Sequence, residues 1–467
     1  MRTPLLALLL SAMLFVPTGQ ADIDITITGA KVRKAKLVIG DIRLQPGAGV
    51  TADPSLIQKV QTEIASDMEW MNLFEIVPKS EIDSAGSSVN FEAGKKENLS
   101  FYLKLTYQLA AGKLTLDATF YDVAGEKKVF GTRYQFSSAQ YYRLVHALSE
   151  DVLQAVTKER GLFFSRILMV CRPLKQTKSP PKDIYISDAD GRNLIQLTDD
   201  KTISVSPSWA PDGKSITYTQ YDWIYAGKTR KKGTVLKRHN LSTGRRTMLS
   251  SRDGMNSGAS WKPDGSRIAM TLSFTGRPEL YLLDPDAPNT PEPLSRNIQW
   301  QKVGGGFQPT NVNLLFEVEP SWSPDGSKIV ISSARSRHPM IYVVDMATKI
   351  ARQLTFAGIY NASPAWSPRG DKIVFAAQRL EEGNFDLYLI DPDGNNLQRL
   401  TVGDRAGRKK VNSENASWAP TGRHIAFSAN EGGAYAVYVM TTDGAIIRKI
   451  SPPGQHCMTP SWGPREG

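Results

Sequence analysis

Six copies of one tryptophan-containing phrase run through the C-terminal two-thirds of this chain. Five copies are complete, as in SPSWAPDGKSI, and the sixth, TPSWGPREG, ends the sequence. The tryptophans lie 44 to 61 residues apart, at Trp209, Trp261, Trp322, Trp366, Trp418 and Trp462. Because a unit of this period buries its apolar face only against its neighbours, the spacing predicts the blades of a β-propeller.

Each complete repeat is predicted to form four short strands. The tryptophan phrase is the innermost strand, Pro-Asp-Gly or a variant makes a tight turn, and an apolar second strand follows. An isoleucine lies seven residues after each tryptophan of a complete phrase, and this constant offset predicts the register of the hairpin. The third strand carries a tyrosine, as at Tyr342, whereas the repeat after Trp209 has Leu236 there, behind a basic insertion. That blade is the least regular.

The array begins and ends with incomplete repeats. Residues 166–198 supply a second, a third and a fourth strand, and Thr459–Pro464 supplies the missing tryptophan phrase. We therefore predict six blades, one of them split and closed by the C-terminal strand. Closure removes the sheet edges that favour aggregation.

The rest of the chain divides into an export signal and a small domain. Residues 1–21 have a basic start at Arg2, an apolar run too short to cross a bilayer, and small residues before a cleavage site expected after Ala21. Residues 22–160 predict an α/β domain, with a helix capped at Asp53-Pro54, a hairpin over 103–120 and a second helix over 138–156. Residues 161–467 form the predicted propeller. We expect an exported, soluble product without a transmembrane segment.

The charge of the chain does not indicate nucleic-acid binding. The net charge is +11, from 57 Lys and Arg against 46 Asp and Glu, and it is spread along the sequence. Two basic stretches, Gly227–Gly233 and Ala406–Lys410, are short, contain glycine and lack interleaved aromatic residues. Solvated loops are therefore favoured over nucleic-acid contacts.

Both cysteines fall in the split blade. With the register of the complete repeats, Cys171 lies opposite about Met458, one residue from Cys457. An oxidising compartment would permit a disulfide between Cys171 and Cys457, whereas a one-residue offset would point the two thiols to opposite faces. Both alternatives stay open.

Motifs for catalysis, metals and cofactors are missing from the sequence. The five histidines have no zinc-site spacing, and neither a nucleophile elbow nor a phosphate-binding loop occurs. Asp188-x-Asp190-Gly191 and Asp391-x-Asp393-Gly394 resemble the start of a calcium loop but lack its final glutamate, so they are interpreted as hairpin turns. His146 is interpreted as structural. We expect no catalytic residues, no metal and no cofactor.

Propeller topology itself predicts where a partner binds. Loops that leave the outermost strand of one blade and enter the innermost strand of the next converge around the central channel, and here they carry polar and aromatic residues. The predicted contact set is Met255, Asn256, Ser257, Phe316, Glu317, Glu319, Tyr360, Asn361, Ser413, Glu414, Asn415, His456 and Met458. The insertion Asn297–Glu319, with Trp300, Phe307 and Phe316, joins the same end, where it would add to the site or cover it.

The whole mature chain resembles the TolB family, periplasmic components of the Tol-Pal envelope system. The resemblance rests on the signal, the small domain, the repeats, and a junction with matching residues at Arg143, His146, Gly161, Phe164, Arg166 and Ile167. The chain departs from the family at Lys158–Gly161 and in the insertion Asn297–Glu319.

The resemblance implies a non-enzymatic protein-binding scaffold of the periplasm, monomeric outside its complexes. In the family the channel mouth binds Pal, a peptidoglycan-associated lipoprotein, and the N-terminus of the mature chain binds inner-membrane TolA, in support of outer-membrane integrity, protein transport and constriction during cell division. The segment at that N-terminal place is Asp22, Ile23, Asp24, Ile25, Thr26, Ile27 and Thr28. This alternating segment either adds to a partner sheet or pairs within its own domain.

The competing prediction is an enzyme or a sugar-binding propeller. Similar repeats gate prolyl-oligopeptidase-type peptidases, but those need a hydrolase domain, which we do not expect here. A lyase or a sugar-binding propeller would want histidines and carboxylates clustered in the converging loops. Only His456 with Glu317, Glu319 and Glu414 offers such a cluster.

Overall fold

The computed structural model describes residues 34–465, apart from residues 48, 79, 84–87, 175–180, 227–228, 301–315, 337, 380–382, 402–410 and 431–432. The predicted signal (1–21), the segment Asp22–Thr28, Phe307 and the basic stretch Ala406–Lys410 lie outside the described residues. So does the side chain of Trp300.

The N-terminal α/β region is built on one mixed sheet. Its strands are β1 (Ala35–Ile39), β2 (Arg43–Leu44), β3 (Phe74–Val77), β4 (Phe101–Ala110), β5 (Lys113–Asp122) and β6 (Lys127–Ser137). The strand order is β3-β1-β4-β5-β6, with β2 beside β4; β1 is parallel to β3 and β4, and β4, β5 and β6 are antiparallel. The predicted hairpin is thus extended by a third strand.

The helices of this region are α1 (Pro54–Met71), α2 (Phe91–Lys96) and α3 (Tyr141–Thr157). The Asp53 carboxylate accepts a hydrogen bond from the Leu56 N–H at 2.9 Å, and Pro54 occupies the first turn, as predicted. The predicted second helix starts at Tyr141 rather than at residue 138, and Ser138–Gln140 form a 3-10 turn. Apolar side chains of α1 and α3 are buried with those of β4 and β5 in one core.

Six sheets follow as propeller blades in the described residues. Blade I consists of β10 (Ser204–Trp209), β11 (Ser215–Ala226), β12 (Thr229–Asn240) and β13 (Arg246–Ser250). Blade II consists of β14 (Asn256–Trp261), β15 (Ile268–Leu272), β16 (Glu279–Leu283) and β17 (Glu292–Pro293). Blade III contains β19 (Glu317–Trp322), β20 (Lys328–Ser336), β21 (His338–Asp345) and β22 (Ile350–Gln353), with β18 (Gln299–Trp300) added at its edge. Blade IV consists of β23 (Tyr360–Trp366), β24 (Ile373–Gln378), β25 (Phe385–Ile390) and β26 (Gln398–Arg399). Blade V consists of β27 (Ser413–Trp418), β28 (His424–Ala429), β29 (Ala436–Thr441) and β30 (Ile447–Lys449). Blade VI is split between β31 (Gln455–Arg465) and β7 (Ser165–Pro173), β8 (Asp183–Asp188), β9 (Ile195–Gln196).

The C-terminal strand closes the ring, which confirms the six-bladed prediction. Trp462 lies opposite Ile167, as Trp209 lies opposite Ile216 in blade I. Farther along, Cys457 lies opposite Cys171, and the two form a disulfide. The predicted pairing of Cys171 with Met458 was wrong by one residue, because the register of β31 shifts between Met458 and Ser461.

The same register shift occurs in the innermost strand of all six described blades. In each, the residue three positions before the tryptophan is left-handed, with φ between 48° and 66°: Ser206, Gly258, Glu319, Ser363, Asn415 and Thr459. Five of these six are not glycine, although L side chains rarely adopt this conformation. A bulge of this kind re-aims side chains, here beside the channel.

The N-terminal region packs against one end of the propeller. One Glu159 carboxylate binds Arg369 at 2.5 Å and Arg423 at 2.6 Å, in the first turns of blades IV and V. Arg448 of blade V donates to the Ser66 carbonyl at 2.9 Å, and the neutral His424 ring lies 2.7 Å from the Trp70 carbonyl oxygen. Burial lowers the pKa of His424 to about 4, consistent with a neutral donor.

Candidate partner-binding face

The end of the propeller opposite the N-terminal region carries the predicted contact loops. We call it the channel-mouth face: the blade-to-blade connections and the hairpin loops between second and third strands. The two kinds of loop touch one another, since the Met255 N–H donates to Ser273 Oγ at 2.7 Å and the Tyr360 and Phe385 rings meet at 5.8 Å. At the other end of the propeller, loops of blades IV, V and VI contact α1, α3 and Glu159.

Four members of the predicted contact set are buried. Asn256, Asn361, Ser413 and Glu317 are each at most 3% exposed. The Asn256 side chain donates to the Arg252 and Thr234 carbonyls and accepts from Ser250 Oγ, and Asn361 donates to Thr355 Oγ1 and the Ala357 carbonyl. Both asparagines therefore hold the connecting loops in shape from inside.

Glu317 forms an ion pair below the surface. Arg335 donates to its carboxylate at 2.9 Å, and burial raises the pKa of Glu317 despite that charge. Phe316, beside it, is half-buried. This pair joins the start of β19 to the end of β20 in blade III.

A chain of polar side chains crosses from blade III to blade V beside the channel. The Glu319 carboxylate accepts hydrogen bonds from the Ser363 N–H at 2.6 Å and from Ser363 Oγ at 3.1 Å, and Asn415 Nδ2 lies 3.4 Å from Ser363 Oγ. These are the left-handed bulge residues of three successive blades. Burial raises the pKa of Glu319, so this carboxyl gains a proton more readily than an exposed one.

A second group links blades V and VI. Tyr435 donates its hydroxyl proton to Glu414 Oε2 at 3.2 Å, and its ring meets the His456 ring edge-on at 5.6 Å. Burial raises the pKa of Glu414, and burial with nearby Arg172 and Lys182 lowers the pKa of His456. The cluster predicted from the sequence, His456 with Glu317, Glu319 and Glu414, is only partly assembled. Contacts join Glu414 and His456 through Tyr435, whereas Glu317 is bound by Arg335.

The remaining predicted residues lie at or near the surface of the face. Met255 and Tyr360 are exposed, whereas Ser257 and Met458 are half-buried and Met458 packs on the core of blade VI. Sequence reasoning missed Phe356, which is 62% exposed in the loop before Tyr360, and Phe274 and Tyr435 in hairpin loops. Phe274 and Tyr435 would have been found if the hairpin loops between second and third strands had been assigned to the channel-mouth face as well.

The joint between the N-terminal region and the propeller holds a charged network. His146 Nδ1 lies 2.8 Å from Asp67 Oδ2, and Nε2 lies 3.2 Å from Asp190 Oδ2. Burial opposes protonation, but the two carboxylates outweigh it and raise the pKa of His146 to about 10. Arg192 pairs with Glu63 through two bonds of 2.8 Å.

That network contains the one metal-like cluster found among the described residues, Glu63, Asp67 and His146. Arg192 already occupies Glu63, while His146 and Ser149 occupy Asp67. An ion pair between α1, α3 and blade VI accounts for these groups. The cluster therefore holds the N-terminal region to blade VI.

Comparison with known proteins identifies the family. A sequence profile described as the TolB beta propeller domain matches residues 153–466, more than half of the chain. The chain belongs to the TolB family.

Relatives agree with this assignment. The chain is 31% identical over 325 residues to "Protein TolB homolog" of Chlorobium chlorochromatii, covering 68% of this chain and 66% of that protein. It is 31% identical over 175 residues to "Tol-Pal system protein TolB" of Desulfosudis oleivorans, covering 38% of this chain and 37% of that protein. The matched regions span less than two thirds of these relatives' own lengths.

A solved TolB structure shares the fold. The crystal structure of TolB from Acinetobacter baumannii superposes with a TM-score of 0.71 at 21% identity, covering 92% of this chain and 97% of that chain. Among the described residues of this TolB-family chain, no helix combines the length and apolar character needed to cross a bilayer.

Proposed function

We propose that this chain is a non-enzymatic protein-binding scaffold of the Tol-Pal system, acting in the periplasm. Its channel-mouth face would bind a peptidoglycan-associated lipoprotein of the Pal type. The observation that carries the proposal is the asymmetry of the propeller: the N-terminal region contacts blades IV, V and VI at one end, and the other end presents aromatic and polar side chains around the channel. A related protein named for the Tol-Pal system supports the assignment.

The chemistry of the face suits a protein partner. Phe356, Tyr360 and Met255 offer exposed apolar surface, of the kind enriched at the centre of interfaces. The bulge residues Glu319, Ser363 and Asn415 offer acceptors and donors deeper in the channel mouth. Apolar contacts at the rim and polar recognition inside would together select one partner.

The N-terminal segment Asp22–Thr28 would supply a second contact, with an inner-membrane partner of the TolA type. Strand addition suits its alternating sequence. A scaffold with two such contacts would link the two membranes and support outer-membrane integrity and constriction during division. Deleting Asp22–Thr28 should abolish TolA binding and leave Pal binding intact or stronger; unchanged TolA binding would contradict this role.

The test of the main proposal is binding of purified Pal-type lipoprotein, without its lipid, measured by calorimetry. Phe356→Ala and Tyr360→Ala should each weaken binding about 10-fold or more, the loss typical of a central aromatic contact. Leu397→Ala is the matched control, because Leu397 is 57% exposed but lies in the turn between β25 and β26, at the end of blade IV away from the channel mouth. No binding by the wild type, or equal loss in the control, would refute the proposal.

A further inference from the structure

Blade I carries a hairpin that extends beyond its own sheet. β11 and β12 are each 12 residues long and pair along their whole length. The inner strand β10 pairs with β11 only as far as Gln220, and the outer strand β13 pairs with β12 only from Leu236. The part beyond, residues 221–224 with 230–234 in the described residues, is a two-stranded ribbon that we call the basic arm.

This observation corrects one sequence prediction. The basic stretch Gly227–Gly233 was predicted to be a solvated loop without interleaved aromatic residues, but Thr229–Gly233 lie in β12. Trp223 lies directly opposite Lys232 on the neighbouring strand. Cations and aromatic rings therefore interleave across the hairpin rather than along the sequence.

The two faces of the basic arm differ. Residues paired across strands share a face, so Ile224 and Lys231 lie on one face with Asp222 and Gly233, and Trp223 and Lys232 lie on the other with Tyr221 and Thr234. Ile224 is 1% exposed, and a Cβ at Gly233 would lie 2.4 Å from Ile224 Cδ1. Ile224 is therefore buried on this first face, where it lies against Gly233 of the paired strand.

Contacts with the next blade fasten the arm at the rim of the channel-mouth face. Lys231 Nζ lies 2.6 Å from Asp253 Oδ1, and the Asn256 side chain donates to the Thr234 carbonyl at 2.8 Å. The arm is thus held by its inner face and by its base. On the outer face, Thr234 at the base donates from Oγ1 to the Gly254 carbonyl at 3.2 Å and accepts from the Asn256 N–H at 2.8 Å, whereas Tyr221 and Trp223 stay exposed.

The outer face presents aromatic rings flanked by cations. Tyr221 is 46% and Trp223 is 47% exposed. The Arg230 guanidinium carbon lies 4.6 Å and Lys232 Nζ 5.8 Å from the centre of the Trp223 ring. Among the described residues neither cation lies within 4 Å of a carboxylate: Asp222 is bound by Lys237 at 2.7 Å, and Arg230 acts on it only at longer range, where its charge helps to lower the pKa of Asp222. Net positive charge is therefore left on the outer face.

We propose that the outer face of the basic arm binds the surface of an anionic phospholipid membrane. Trp223 and Tyr221 would lie at the level of the headgroups, where amphipathic rings are favoured, and Arg230 and Lys232 would contact the phosphates. Among the described residues, no strand pairs with either edge of the arm, because β10 and β13 end before it. The arm therefore lacks a groove that could hold a peptide side chain. It suits a broad anionic surface better than a shaped acidic partner.

The test is sedimentation of the full chain with large vesicles of phosphatidylcholine, with or without added phosphatidylglycerol. Binding should require phosphatidylglycerol and should weaken as salt is added. The double variant Arg230→Gln/Lys232→Gln should lower the partition coefficient about 30-fold, from about 1 kcal/mol for each cation near an anionic surface. Both side chains are exposed, so the variant should keep the wild-type thermal midpoint.

The matched control removes the same charge from the other end of the same blade. Lys214→Gln/Arg245→Gln changes two exposed cations in turns away from the channel mouth and should leave the partition coefficient within about 2-fold. Equal loss in both double variants would show that overall charge drives binding, and would overturn the proposal. Binding to soluble polyglutamate through the arm, with no binding to vesicles, would also overturn it in favour of an acidic polypeptide.

Insertion of Trp223 has its own readout. The chain has nine tryptophans, so the informative quantity is the difference between wild type and Trp223→Phe in quenching by brominated phosphatidylglycerol. Loss of a quenched component in the variant is expected. Identical quenching in the two proteins would contradict insertion.

Discussion

Reducing the disulfide between Cys171 and Cys457 should weaken the propeller without opening it. The bond joins residues 286 positions apart and links the closing strand β31 to β7. Reduction should leave the pairing of these strands in place, together with the bond from Trp462 Nε1 to Ser165 Oγ, which is 2.8 Å long in the disulfide-bonded protein. The effect should therefore fall mainly on the unfolded chain, which gains conformational freedom.

Loop length sets the size of that effect. Closing a loop of about 100 residues stabilises a protein by about 4.7 kcal/mol in the chain-entropy treatment, and each doubling adds about 0.6 kcal/mol. Measured disulfides rarely exceed about 5 kcal/mol, so we expect reduction to lower the free energy of unfolding by about 3 to 5 kcal/mol. With an unfolding entropy of about 2.1 cal/mol/K per residue over the propeller, the melting midpoint should fall by about 5 to 8 °C.

The assay compares one protein in two redox states. Thermal and guanidinium unfolding are followed by circular dichroism with and without dithiothreitol, and free thiols are counted in each sample. Cys171→Ala/Cys457→Ala is the control, and its midpoint should not respond to reductant. An unchanged midpoint on complete reduction of the wild type would refute the entropic argument, whereas loss of all cooperative unfolding would show that closure needs the covalent bond.

Two further predictions concern the domain joint and the channel-mouth loops. The pKa of His146 is about 10 in the folded protein against about 6.5 in the unfolded chain, so its protonation stabilises the fold fully below about pH 6.5 and progressively less towards pH 10. The thermal midpoint of the wild type should therefore fall between these pH values, and His146→Gln should flatten that fall. An unchanged slope of midpoint against pH in the variant would contradict the assignment. Asn361→Ala should lower the free energy of unfolding by about 1 to 3 kcal/mol, because it removes buried hydrogen bonds to Thr355 and Ala357. Tyr360→Ala should weaken partner binding with little change in the denaturation midpoint. Equal midpoints for the two variants would contradict these separate roles.

Local sequence signals were sufficient where one physical rule dominated. Asp53 and Pro54 mark the start of α1 because each satisfies a separate requirement of a helix N-terminus. The incomplete end repeats predicted closure because each fragment leaves an edge that the other covers. By contrast, β6 was missed because it is an edge strand with many exposed side chains, which hides its alternation, and α2 is only six residues long.

The predicted contact set was less accurate because a loop residue before a tryptophan phrase can be polar for two different reasons. Asn256 and Asn361 precede the tryptophan phrases and are polar because buried loop carbonyls and amides need partners. Tyr360, one residue from Asn361, points outward. A pattern along the chain does not separate an inward amide from an outward ring when the two are adjacent.

The bulges explain why register failed at the cysteines and why the channel-mouth face is so varied. Each innermost strand has the same left-handed position, yet six positions carry serine, glycine, glutamate, serine, asparagine and threonine, so no residue type marks it. Because this position lies beside the channel, its side chain lies outside the apolar packing that makes the tryptophans uniform, and Glu319, Ser363 and Asn415 bond to one another instead. The backbone shift thus recurs in all six described blades while the side chain differs from blade to blade, as expected if the channel mouth selects these side chains for what it binds. Substituting these six positions should change partner choice more than stability, whereas substituting the tryptophans should do the reverse.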